Sequence, residues 1–207
     1  MSMKIVQDET FGKIIDYDLL SDGMWDVVDN VFPTFNLLGS MQKATELFEN
    51  MTACAASGLA YMMLVAAEED ELAAELKGKI FTLGWTEEHT GTDLLSVTTQ
   101  ATPMSDDPDE KNFHIKGQKW LINNSYHADY HSVVAKVDPD ATGPRSLSIF
   151  AVPHSSTKNW ERLDTHVLKN MVLTKYDIDG PGILVGKVGH GLQILANISA
   201  RIWAWQC

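Results

Sequence analysis

Cysteine is almost absent from this chain. Only Cys54 and Cys207 occur, which excludes a disulfide framework and any cysteine-based metal-ligand spacing. Positive charge is scarce too: 16 Lys and Arg stand against 28 Asp and Glu, giving a formal net charge of −12 and a pI of about 4.9. The basic residues are scattered, so nothing in the sequence forms the patch that a phosphate backbone needs, and no nucleic-acid partner is expected. The longest apolar run, Leu59 to Ala67, falls well short of the ~20 residues of a membrane-spanning helix. Met1 to Thr10 carries charges and no apolar signal-peptide core. Repeats and low-complexity tracts are also missing. These absences lead to the expectation of a soluble cytoplasmic protein without membrane contact.

What is present divides at residue 79. Before it, apolar residues recur at helical spacing: Leu20, Met24, Val27, Val28 and Val31, then Ala44, Leu47, Phe48 and Met51. Ser21 or Asp22 is a candidate N-cap of the first helix, and Pro33 ends it. The stretch 53–67 is apolar on most sides and expected to be buried, and the charged stretch 68–77 is helix-prone up to Gly78. Residues 1–18 show no clear pattern. From Lys79 the period changes to two, with β-branched and aromatic residues. Candidate strands are 79–85, 94–102, 113–122, 132–137, 146–152 and 171–178, with 103–110, 138–145 and 154–165 as loops. The fold class expected is α+β. A helical N-terminal region (1–78) precedes an antiparallel barrel or sandwich of six to seven strands (79–187), followed by the start of a C-terminal helix (188–207). Leu192, Leu195, Ile198 and Ile202 give that helix an apolar face, to be covered by the first helices, another chain or a further part of the protein.

The stretch Gly84 to Leu94 joins the first two candidate strands and is rich in hydroxyl and main-chain donors. It reads either as an ordinary polar hairpin or as a cradle in which several N–H groups point at one acceptor. His89 is read as a solvent-facing loop residue, and Glu87 and Asp93 as turn and cap residues rather than catalytic carboxylates. The remaining six histidines show no ligand spacing and are read as structural or exposed.

Five segments lie in a fixed order: Trp85-Thr86-Glu87 with Gly91-Thr92-Asp93; Gly117-Gln118-Lys119-Trp120; Phe150-Ala151-Val152-Pro153; Gly186 with Gly189-His190-Gly191; and Ala200-Arg201. This order resembles the flavin-dependent acyl-CoA dehydrogenases, over roughly residues 55–205. The resemblance implies a middle β-barrel domain that binds FAD and an acyl-CoA or acyl-carrier thioester. It places Trp85 and Thr86 at the pyrimidine side of the flavin ring, where fixed donors stabilise charge on the reduced cofactor. Gly91 and Thr92 fall near the pyrophosphate or the thioester arm, and Arg201 at a phosphate contact. Leu121 and Asn123 fall where the family carries an aromatic residue and a Thr or Ser near flavin N5. An Asn amide still donates there, whereas Leu121 replaces the aromatic ring, and Trp120 takes its place only if the strand register shifts.

The sequence also departs from the family pattern: Glu88 stands where a proline is usual, and His89-Thr90 make the loop bulkier. The family's catalytic glutamate belongs to a C-terminal four-helix domain, and no carboxylate here occupies a matching position. The chain is therefore expected to be a shortened form, or one part of an enzyme whose base lies elsewhere, assembled as a homo-oligomer or with a partner subunit supplying the C-terminal helices. The alternative is a non-catalytic barrel serving as a binding or scaffold subunit.

Overall fold

The computed structural model describes residues 5–8, 12–15, 60, 63–64, 66–76, 79–107, 109–123, 125, 128–163 and 173–206. The helices expected over 20–31 and 44–51 lie outside these. Strands β1 (Ile5–Asp8) and β2 (Gly12–Ile15) pair antiparallel, Ile5 opposite Ile15. No element was expected there, because four-residue β-branched runs are too short to stand out as a period.

Helix α1 (Asp70–Glu75) leads into β3 (Phe81–Gly84), β4 (Gln100–Pro103), β5 (Asn112–Asn123), β6 (Tyr130–Lys136), β7 (Leu147–Pro153), β8 (Thr157–Leu163) and β9 (Leu173–Val185). Helix α2 (Gly191–Gln206) follows. Strands β4, β5, β9, β7 and β6 close into a five-stranded barrel. Strands β3 and β8 lie outside it, β3 on β6 and β8 on β9.

Four strand expectations change. The sheet is mixed rather than antiparallel, since β3 runs parallel to β6. The loop expected over 154–165 contains β8, whose mainly exposed residues carry no period-two signal. The candidate strand 94–102 begins as a 3-10 turn, Leu94–Ser96, and turns extended only later. β9 also runs past its expected end, straight through Gly180-Pro181-Gly182. The tripeptide is not a turn there because the strand is tightly flanked: a Cβ on Gly182 would stand 2.8 Å from the Ile115 side chain, and one on Gly180 2.9 Å from Ser156.

Two apolar clusters hold the fold. One fills the barrel with Phe113, Ile115, Ile122, Val133, Phe150, Val152, Tyr176 and Ile178. The other lies outside it, where Val134, Ile149 and Ala151 meet Met63, Leu64, Leu72 and Leu76 and the helix α2 residues Ile194, Leu195 and Ile198. Strands β6 and β7 are thus covered on both faces, the reason their sequences lack clean alternation. The apolar face of α2 is covered, over these residues, by the chain itself. A polar staple backs this seam: Glu69 Oε1 accepts from Lys111 Nζ at 2.6 Å and from the Gly186 N–H at 2.9 Å.

Candidate functional site

The loop between β3 and β4 is not a hairpin turn, because these strands are not neighbours in the sheet. What shapes it is a buried carboxylate. Glu87 turns back on Thr90 through paired main-chain bonds of 2.9 and 3.0 Å, and its side chain, 7% exposed, points into the protein. Oε2 accepts from the N–H and hydroxyl of Thr98, both at 2.7 Å. Oε1 accepts from the N–H of Thr99 at 3.0 Å, its hydroxyl at 2.6 Å, and Lys119 Nζ at 2.9 Å. Lys119 is fully buried and also donates to the Val134 carbonyl at 2.8 Å.

Burial pushes the Glu87 carboxyl up, but the Lys119 ammonium and the bonds from Thr99, Lys119 and Thr98 together overcome this and hold it at about 2. Burial pushes Lys119 down, and Glu87 restores only part of the loss, leaving it at about 8.

Strand β5 is shaped to receive this loop. Phe113, Ile115, Gly117 and Lys119 alternate inward. A Cβ on Gly117 would stand 2.4 Å from the Thr99 hydroxyl, so glycine gives Thr99 its place. Beyond Lys119 the strand bulges: Lys119 pairs with Tyr176 and Ile122 with Thr174, leaving Trp120 and Leu121 opposite Lys175 alone. Leu121 takes a left-handed backbone with φ 58°. The bulge reverses the parity of the strand, which puts Ile122 into the core and leaves Trp120 and Leu121 side by side, both half-buried, on the outer side. Thr86 docks on this bulge. Its hydroxyl donates to the Trp120 carbonyl, and its own carbonyl accepts the Trp120 N–H at 3.0 Å.

Three buried polar side-chain atoms have no partner among the described residues: Trp85 Nε1, Asn123 Oδ1 and the Tyr176 hydroxyl. The first two belong to expected site residues. Tyr176 lies within the barrel beneath Gly84, where a Cβ would stand 2.8 Å from its hydroxyl. Its ring stacks on Trp160 at 4.5 Å and lies 4.8 Å from His131. Burial raises its hydroxyl above the usual range. Burial, reinforced by His154, lowers His131 to about 3, so its ring is neutral, and it shares a 2.9 Å hydrogen bond with Thr82.

The structure thus brings Trp85, Thr86 and Leu121 to one end of the barrel, with Asn123 further along the same strand. Gly91 and Thr92 are exposed, and a Cβ on Gly91 would meet nothing within 4 Å. Arg201 lies on α2, its side chain outside the described residues. A shallow groove of about 430 Å³ lies at the opposite end of β3, lined by Lys79, Asp129, Tyr130 and His154 among others, and none of the expected residues lines it. Among the described residues no group of His, Cys, Asp or Glu is arranged to hold a metal, and no helix is long and apolar enough to cross a membrane. Asp93 has the turn role expected of it, accepting from the Ser96 hydroxyl. Glu87 does more than a turn residue. The signal was a lysine at an inward position of an alternating strand, which requires a buried anion.

Residues 82–180 match the acyl-CoA dehydrogenase middle-domain family. Over these residues, just under half of its length, the chain belongs to the acyl-CoA dehydrogenase family. Within it, the acyl-CoA dehydrogenase FadE29 of Mycobacterium tuberculosis (strain ATCC 25618 / H37Rv) is 34% identical over 72 residues, 35% of this chain and 17% of that protein. The solved structure of an FAD-dependent dehydrogenase superposes with a TM-score of 0.59 at 22% identity, over 70% of this chain and 41% of its own. That of an acyl-CoA dehydrogenase from Geobacillus kaustophilus gives 0.50 at 25% identity, over 61% and 33%. The chain therefore spans less than half the length of each of these proteins. The barrel with its two outlying strands is the acyl-CoA dehydrogenase middle domain, and the Thr86–Trp120 junction joins two of the segments that carried the resemblance.

Proposed function

We propose that this acyl-CoA dehydrogenase homologue binds FAD at the Trp85–Thr86 end of its barrel and takes part in α,β-dehydrogenation of an acyl thioester, on CoA or on a carrier protein. The observation that carries this reading is the pair of orphaned polar atoms, a donor at Trp85 Nε1 and an acceptor at Asn123 Oδ1. Buried polar atoms ordinarily have partners, and the polar edge of an isoalloxazine ring offers both an acceptor and a donor. Thr86 adds lone pairs on a hydroxyl whose proton is already committed to Trp120. When bound, the flavin would supply the hydride acceptor, and Trp85, Thr86 and Asn123 would hold its polar edge.

The proton of the substrate needs a base. Glu87 is unsuited to that role, since a carboxylate held at about 2 by Lys119 has little affinity for a proton at neutral pH. The reading therefore assigns the base to a part of the enzyme outside this chain, supplied by a partner subunit or by a further helical domain, in a homo-oligomeric or mixed assembly.

A second reading, a non-catalytic barrel kept as a binding or scaffold subunit, draws support from the exposed Gly91 and Thr92. Reconstitution decides between them. The purified chain is titrated with FAD while flavin fluorescence and visible absorbance are followed. Stoichiometric uptake with a shifted flavin spectrum supports the first reading. A protein that stays colourless with excess FAD overturns it in favour of the second. Bleaching of a reconstituted protein by an acyl-CoA, with no other chain present, overturns the assignment of the base.

A further inference from the structure

Lys119 lies within one of the family segments, yet it touches no position expected to meet flavin or substrate. Its ammonium is enclosed by Glu87 Oε1 at 2.9 Å and the Val134 carbonyl at 2.8 Å, with Tyr176 opposite it across the strand pair. Through Glu87 it reaches both ends of the loop. Thr86, one residue before Glu87, is sewn to Trp120, and Thr98 and Thr99, at the far end, give Glu87 four hydrogen bonds. Among the described residues no other charged side chain acts on either partner.

Glu87 is held below its ordinary value, which favours the folded chain at neutral pH, and Lys119 is held below its own, which works against it. Buried ion pairs commonly come out near neutral in this way, whereas breaking one partner leaves an uncompensated charge. A near-neutral pair that joins both ends of one loop to the barrel acts on where that loop sits.

We infer that Lys119 is a positioning residue: by gripping Glu87 from inside the barrel it fixes the 85–99 loop, and with it Trp85 and Thr86, in the arrangement that receives the flavin edge. The flavin half of this inference rests on the function proposed above; the loop half does not.

The test uses the full chain in two forms, wild type and the uncharged pair Glu87→Gln with Lys119→Met, so that no lone buried charge unfolds the barrel. Amide hydrogen exchange is read at Thr86, Thr98 and Thr99 and, as an internal reference, at Val133, Phe150 and Ile178 in the barrel. FAD affinity and the visible spectrum of bound flavin are read in parallel. The expected result is at least tenfold faster exchange at the three threonines with the reference amides unchanged, at least tenfold weaker FAD binding, and a bound-flavin spectrum displaced toward that of free FAD. Loop exchange and flavin spectrum both equal to wild type overturn the inference. So does equal loss of protection in loop and barrel, which makes the pair a general stabiliser. If the wild-type chain takes up no FAD, the flavin reading fails, and loop exchange alone then decides whether Lys119 positions this segment.

Discussion

Thr86 and Trp120 hold each other twice: the Thr86 hydroxyl donates to the Trp120 carbonyl, and the Trp120 N–H returns to the Thr86 carbonyl at 3.0 Å. Replacing Thr86 by Ala removes the first bond and leaves the second. One such bond contributes about 1 kcal/mol, so Thr86→Ala is expected to weaken FAD retention about five- to tenfold in a fluorescence titration, and Thr86→Ser to restore it. FAD affinity unchanged in Thr86→Ala removes Thr86 from the site.

Leu121 carries its left-handed backbone at the bulge against a steric cost of about 1–2 kcal/mol. Leu121→Gly is expected to raise the urea midpoint of unfolding or leave it level, despite the lost side chain. Leu121→Val, branched at Cβ, should lower it by an amount equivalent to about 1–2 kcal/mol. A larger loss with glycine than with valine means that side-chain contacts, not backbone strain, govern this position.

Gly117→Ala places a methyl group 2.4 Å from the Thr99 hydroxyl and 2.8 Å from Thr99 Cα. Main chain cannot retreat as a flexible side chain does, so the loop must shift. The expected cost is about 1–3 kcal/mol of stability, as for overpacked cores, with faster amide exchange at Thr98 and Thr99. Wild-type stability and exchange would show that the strand yields instead.

The Tyr176 hydroxyl is buried without a partner among the described residues. Tyr176→Phe removes an unsatisfied polar group and keeps the ring on Trp160, so stability is expected to rise by about 1 kcal/mol, read from the denaturant midpoint. A drop of similar size would reveal that the hydroxyl has an acceptor.

Acid should undo this fold in two stages. His131 is neutral and held at about 3, while in the unfolded chain it takes up a proton near 6.5, so stability is complete above 6.5 and falls as pH drops below it. Glu87, at about 2 folded and 4.5 unfolded, adds a second loss that begins near 4.5 and runs toward 2. In the alkaline range Lys119 follows the same sign: between about 8 and 10.5 the unfolded chain keeps a proton that the folded one has shed, so stability rises with pH there as well. Denaturant midpoints from pH 3 to 9 should show this profile, with His131→Gln flattening the segment between 6.5 and 4.5.

The barrel was legible because Phe113, Ile115 and the inward residues of β9 alternate cleanly over long strands. β8 was not, because a strand whose residues are mostly exposed, with Trp160 its one aromatic on the core, has no apolar rhythm to reveal it. The parallel pairing of β3 with β6 was hidden for another reason: pairing across 49 residues leaves no local mark. At the site, the collinear motifs led to Trp85, Thr86, Leu121 and Asn123. They did not disclose that Gly117 and Lys119 serve the loop, nor that a bulge sets Trp120 beside Leu121. Both depend on which face each residue occupies after the register has shifted, which spacing alone does not carry.

That parallel pairing also orders events in time. Among the described strands β3 pairs with β6 alone, so it must wait for β6, itself completed by β7. Contacts that close long loops form slowly. The segment from Trp85 to Thr99 is therefore expected to be among the last to assemble on a refolding chain, after the β6–β7 hairpin exists.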